Sequence, residues 1–182
     1  MTVSTENLSS AIVDDEKSTP VMVYTSNRLS WGDLVTKQSI LPERILIGVS
    51  IPDFITLCNA QTSICRGSTL SKPNKFTKLH IPYQEIIGYH LMPPHVAQLD
   101  YDLTEQNRVM APVTIQVGNF DFQAKFRIST QTSIKTMLDV TKSDFISVYD
   151  VVISHPGNPN MKSIQVNFAL VSRMSVTFGE SA

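Results

Sequence analysis

Asp144-Phe145-Ile146-Ser147-Val148-Tyr149-Asp150-Val151-Val152-Ile153 is a nearly continuous apolar run, and Asp53-Phe54-Ile55-Thr56-Leu57-Cys58-Asn59-Ala60 repeats its first three residues 91 positions earlier. Both runs are β-rich, as a central strand buried on two faces requires. Extended without a gap, the same offset places Leu29, Trp31 and Val35 on Phe120, Phe122 and Phe126. It also places Leu46, Ile47 and Val49 on Met137, Leu138 and Val140. Past a loop read as six residues shorter in the second half, an offset of 85 sets Leu79, Ile81, Ile86, Tyr89 and Leu91 on Ile164, Val166, Val171, Met174 and Val176. Shared apolar positions in a shared order are the mark of an internal repeat.

Around these runs the period is two. Val21 and Val23, Leu29 and Trp31, Leu79, Ile81 and Tyr83, and Ile87, Tyr89 and Leu91 alternate with polar neighbours. Val113, Ile115 and Val117, Phe120 and Phe122, Ile164, Val166 and Phe168, and Met174, Val176 and Phe178 do the same. Such alternation predicts strands with one buried face. The interval from Thr132 to Thr141 breaks the pattern with helical spacing behind an N-cap at Ser133, and Ser39 to Val49 is its weaker counterpart, equally readable as a strand. The expected fold is mainly β: two tandem small five-stranded β-barrels arising by internal duplication, each with a short inserted helix. Closure into a barrel would remove exposed edges. Phe54 and Phe145 are expected at equivalent core sites.

The chain of 182 residues is 42% apolar and 17% charged, which excludes a wholly disordered polymer. Its formal net charge of -1 hides two acidic segments. Residues 1–20 hold one Lys against four acidic residues and read as a disordered arm. Residues 96–111, between Pro94 and Pro112, carry Arg108 against Asp100, Asp102 and Glu105 and read as a linker. The domains expected are therefore residues 21–95 and 112–182. No apolar run approaches the roughly 18 residues of a membrane helix, and the first twenty residues lack a basic start followed by an apolar stretch. With two cysteines only, a reducing cytoplasmic setting is expected.

Leu29-Ser30-Trp31-Gly32-Asp33-Leu34 resembles the bent second strand of Sm-like small β-barrels, where a Gly lets the strand curve. The run from Asp53 to Ala60 is similar to their third strand, and Leu79 to Met92 to their last two. The resemblance implies the SH3-like barrel fold over roughly 60 residues of the first half, and more faintly in the second. It departs in three places. Twenty residues separate Gly32 from Asp53, where that family has a few. Thr56 and Ser147 stand where the family holds an RNA base with Asn. Pro82-Tyr83 and Asn167-Phe168 stand where it has Arg-Gly. The family's RNA-binding residues are not matched.

No phosphate loop, zinc-protease motif, nucleophile elbow or dinucleotide fingerprint occurs, so no catalytic residue, cofactor or metal is expected. Asp53 and Asp144 are read as caps of turns. Cys58 reads as a packed small hydrophobe, and Cys65 stands beside Arg66. A hairpin centred on Gln84-Glu85 would bring His80 opposite His90, close enough to share a metal, although two exposed histidines are the simpler reading. The stretch from Cys65 to His80 carries Arg66, Lys72, Lys75 and Lys78 around Phe76 with no acid, and is the expected binding surface. The counterpart from His155 to Lys162 lacks that charge. The sequence points to a non-enzymatic interaction or assembly module whose partner is another protein or itself. The alternative is a nucleic-acid-binding protein of Sm-like descent that holds RNA on the 65–80 loop. No membrane or small-molecule substrate is evident.

Overall fold

The computed structural model describes residues 15–48 and 51–180. The first half holds β1 (Glu16–Tyr24), β2 (Arg28–Lys37), β3 (Phe54–Arg66), the two-residue β4 (Thr69–Leu70), β5 (Asn74–Pro82) and β6 (Gly88–Leu91). The second holds β7 (Arg108–Val117), β8 (Phe120–Ser129), helix α1 (Ile134–Val140), β9 (Phe145–Ser154), β10 (Ile164–Ser172) and β11 (Thr177–Gly179). The period-two segments are strands, and α1 is capped by Ser133, whose Oγ accepts from the Thr136 N–H. The interval from Ser39 is instead, as far as Gly48, a single 3-10 turn at Pro42–Arg44 followed by a turn and bends, and Val49 lies outside the described residues. Residues 1–14 of the expected acidic arm lie outside the described residues, and β1 opens at Glu16, within that span. Among the described residues no helix is long and apolar enough to cross a membrane.

The mainly β class holds, but the two closed barrels do not. All eleven strands form one open antiparallel sheet in the order β11-β7-β8-β9-β10-β6-β1-β2-β3-β4, with β5 also on β3. The joint is β6, which pairs with β1 on one side and β10 on the other. Unpaired strand edges can be satisfied by closure or by a neighbour; here each half supplies the other's neighbour. All four residues of β6 are buried. Its approach to the second half needs Gly88, because a Cβ there would lie 2.8 Å from Val117 Cγ1.

The apolar core follows the same logic. Val21 and Val23 of β1 pack with Leu34, Leu46, Ile55, Leu57 and Ile81, in a cluster that also takes Phe145, Phe168 and Leu170 from the second half. Met22 and Tyr24, on the other face of β1, pack with Phe120, Phe122, Phe126 and Ile153. Neither cluster belongs to one half, so burial of each large side chain, about 1.5–3 kcal/mol apiece, stabilises both halves together.

Within the sheet the halves match strand for strand: β6-β1-β2-β3-β5 in one, β11-β7-β8-β9-β10 in the other. A bulge falls between Trp31 and Asp33, and another between Gln123 and Lys125. Asn59 and Asp150, each opposite the bulge, have φ of 48° and 50°. The side chain of each bonds across to the bulge, Asn59 donating to Asp33 at 3.2 Å and Asp150 accepting from Lys125 at 2.9 Å.

These landmarks correct the sequence alignment. Trp31 matches Gln123, an offset of 92 rather than 91 in the second strands. Phe54 lies opposite Pro82 and Phe145 opposite Ser172, so the fourth strands match at 90, and the loop before them is one residue shorter in the second half rather than six. A one-residue slip exchanges the faces of a strand. The inward residues of β2 are therefore Ser30, Gly32, Leu34 and Thr36, matched to Phe122, Ala124, Phe126 and Ile128.

The 96–111 stretch is strapped to both halves, and its last four residues open β7. Asn167 accepts from the Ala97 N–H and donates to the Ala97 carbonyl, at 3.1 and 2.7 Å. Buried Glu43 accepts from the Gln98 N–H, and Arg44 donates to the Leu99 carbonyl. Asp100 accepts from the hydroxyls of Ser147 and Tyr149.

Candidate functional site

The five residues expected to bind a partner are all exposed, yet they do not lie on one loop. Arg66 closes β3 opposite Thr69, and Lys72 lies in the turn between β4 and β5. Lys75, Phe76 and Lys78 belong to β5, opposite Gln61, Ala60 and Cys58. The expected 65–80 loop is largely a paired edge strand, because β5 registers on β3 from Asn74 to Pro82. Lys75 and Lys78 are an odd number of residues apart, so they project from opposite faces. The two loops compared in the sequence touch each other: a Cβ at Gly157 would stand 2.9 Å from Ser68 Cα.

His80 and His90 do not meet. β5 pairs with β3 and β6 with β1, so the hairpin that would oppose them is not formed. His80 bonds to Thr56 Oγ1 at 2.8 Å on the exposed side. His90 is buried between the Tyr24 hydroxyl and the Leu91 carbonyl, and burial lowers its pKa to about 4, with the Leu91 bond opposing in part. Among the described residues no group of three or more His, Cys, Asp or Glu could hold a metal ion.

Cys65 is buried and Cys58 half-buried. Burial raises the Cys65 thiol above its ordinary value, while bonds to Asn119 and Leu29 oppose this. A thiol held protonated is a poor nucleophile. The backbone carbonyls of Asp53 and Asp144, not their carboxylates, accept the equivalent N–H groups of Tyr83 and Arg173, both at 2.8 Å. The Asp144 carboxylate instead accepts the Tyr83 hydroxyl at 3.4 Å, and the Tyr83 ring packs on Phe145 with centroids 5.4 Å apart. Burial, then the Asp144 charge, raise the Tyr83 pKa. Phe145 is 3% exposed beneath this cover. Phe54 is 54% exposed, so the expected equivalence of the two core sites fails: among the described residues no ring covers it as Tyr83 covers Phe145.

Two features escaped the sequence reading. The first is a pair of edges left open among the described residues, β5 at one end of the sheet and β11 at the other. The second is an open cleft of about 750 Å³, between the turn joining β1 to β2 and the connection from β5 to β6, with Ser175 of the second half also in its lining. Only the register of distant strands reveals either, although Ser30 and Thr62 in otherwise apolar stretches were the available signal for the cavity. Comparison with family models, with curated proteins and with solved structures found no match.

Proposed function

We propose that this protein is a non-enzymatic assembly module that joins further copies of itself through the two open edges of its sheet. The carrying observation is the internal junction. There β10, the fourth strand of its half, pairs with β6, the fifth strand of the other half, Leu170 opposite Tyr89 and Val171 opposite Gly88. The edges left open are β5, a fourth strand, and β11, a fifth. Joining β11 of one copy to β5 of the next repeats the internal junction, with Phe178 opposite His80 and Thr177 opposite Ile81.

Phe54 supports the same geometry. Across the internal junction, Tyr83 of one half covers Phe145 of the other. The position equivalent to Tyr83 is Arg173, followed by Met174, which is 76% exposed. In a head-to-tail array this turn lies over the next copy's Phe54 and removes both apolar groups from water. Such a contact is heterologous and gives rings or filaments. The shared strand order, with the last strand of each half beside its first, supports an internal duplication of an Sm-like unit.

Light scattering of purified protein over a concentration series tests this. Growth to closed or open oligomers is expected, and Thr177→Lys, which sets a like charge against the edge bearing Lys78, is expected to return the monomer. A monomer throughout overturns the proposal. Association that appears only with added RNA replaces it by nucleic-acid binding on Arg66, Lys72, Lys75 and Lys78.

A further inference from the structure

The corrected register shows where the two halves differ inside. Ser30 of β2 matches Phe122, Thr62 of β3 matches Ile153, and Thr25, just past β1, matches Val117. Phe122, Ile153 and Val117 are at most 1% exposed and fill the core of the second half. Ser30 and Thr62 are equally secluded, at 3% and 2%, with Thr25 at 9%. Hydroxyls therefore stand where the second half carries large apolar groups, and all three are among the residues that line the 750 Å³ cleft. Burying hydroxyls in place of apolar side chains costs stability. The second half shows that the fold does not require it.

The lining specifies a chemistry. Ser30 Oγ donates to Thr62 Oγ1 at 2.9 Å, so the Thr62 proton and the free lone pairs of both remain for another molecule. Leu79, Ile81 and Ile87 supply an apolar wall. The lining carries one cation, Arg28, the first residue of β2, and one anion, Glu85, from the connection after β5. Among the described residues neither makes an ion pair, with the other or with any group. A guanidinium and a carboxylate in the lining of one cleft, neither paired among the described residues, complement a molecule bearing both a carboxylate and an ammonium group.

We infer that this cavity is a binding site for a small zwitterion of the free amino-acid class. Its carboxylate meets Arg28, its ammonium meets Glu85, and its side chain enters between the Ser30–Thr62 pair and the wall of Leu79 and Ile81. The volume falls within the range of small-molecule sites, roughly 300–1,000 Å³. Its lining shares His80 and Ile81 with the β5 edge proposed to take the next copy, so binding is measured at concentrations where light scattering shows a monomer.

The experiment is titration calorimetry and thermal melting of the full chain with each of the standard amino acids alone, and with glucose and succinate as probes lacking one or both charges. At least one amino acid is expected to bind saturably and raise the melting temperature, while glucose and succinate do neither. Arg28→Ala and Glu85→Gln, both exposed and outside the core, should each weaken binding about tenfold. Ser30→Phe with Thr62→Ile, which installs the second half's residues, should abolish it. Should that pair fail to fold, the Arg28 and Glu85 variants carry the test. Absence of binding by every amino acid, binding of glucose or succinate alone, or affinity indifferent to Arg28 and Glu85 overturns the inference.

Discussion

Tyr24 donates its hydroxyl proton to His90 Nε2 at 3.0 Å, and both side chains are buried on the strands that join the two halves. The tautomer follows from the other nitrogen. His90 Nδ1 lies 2.7 Å from the Leu91 carbonyl, which can only accept, so Nδ1 carries the proton and the ring is neutral. Protonating Nε2 would break the Tyr24 bond and bury a charge. The folded pKa accordingly falls from 6.5 to about 4. Because the folded value is depressed, the unfolded chain takes up the proton first. Stability is full above pH 6.5 and is lost as pH falls from there toward 4, by about 3 kcal/mol in all. Urea midpoints measured across that range should show the loss, and His90→Gln should flatten it. An unchanged slope in the variant would place the acid sensitivity elsewhere.

Phe145 and Phe54 open equivalent strands but differ in cover. Phe145→Ala should cost on the order of 3–5 kcal/mol in a denaturant melt. Phe54→Ala in the monomer should cost less than about 1 kcal/mol, since surface substitutions do little. Equal losses would contradict the difference in burial.

Gly88 holds β6 against β7. With a Cβ 2.8 Å from Val117 Cγ1, Gly88→Ala should destabilise by about 1–3 kcal/mol through overpacking. Val117→Ala in the same chain should recover part of that loss, which a double-mutant cycle measures as a non-zero coupling. Additive effects would mean that the strand yields elsewhere.

Asn167 secures the connection between the halves through both backbone groups of Ala97. Asn167→Ala leaves those groups without their partner and should cost about 1–3 kcal/mol. Cleavage by a non-specific protease should concentrate within residues 96–107, and the Ala97 amide should exchange faster. A cleavage pattern identical to the parent's would show that Glu43, Arg44 and Asp100 suffice.

The strands and α1 were legible in the sequence because their signals are local. Alternation at Val113, Ile115 and Val117, or the Ser133 cap, needs no knowledge of distant residues. The correspondence of β3 with β9 was legible too, since Asp53-Phe54-Ile55 and Asp144-Phe145-Ile146 share residues as well as pattern. Register was not. The second strands match at 92 and the third at 91, and that single residue decides whether Trp31 or Ser30 faces inward. The pairing of β6 with β10 was equally hidden, because Tyr89 and Leu170 are far apart in the chain and a two-residue ladder leaves no periodic trace. Sequence periodicity fixes which residues can be buried. Which neighbour buries them, and so where the cavity and the open edges lie, depends on hydrogen bonds between strands that only the folded chain brings together.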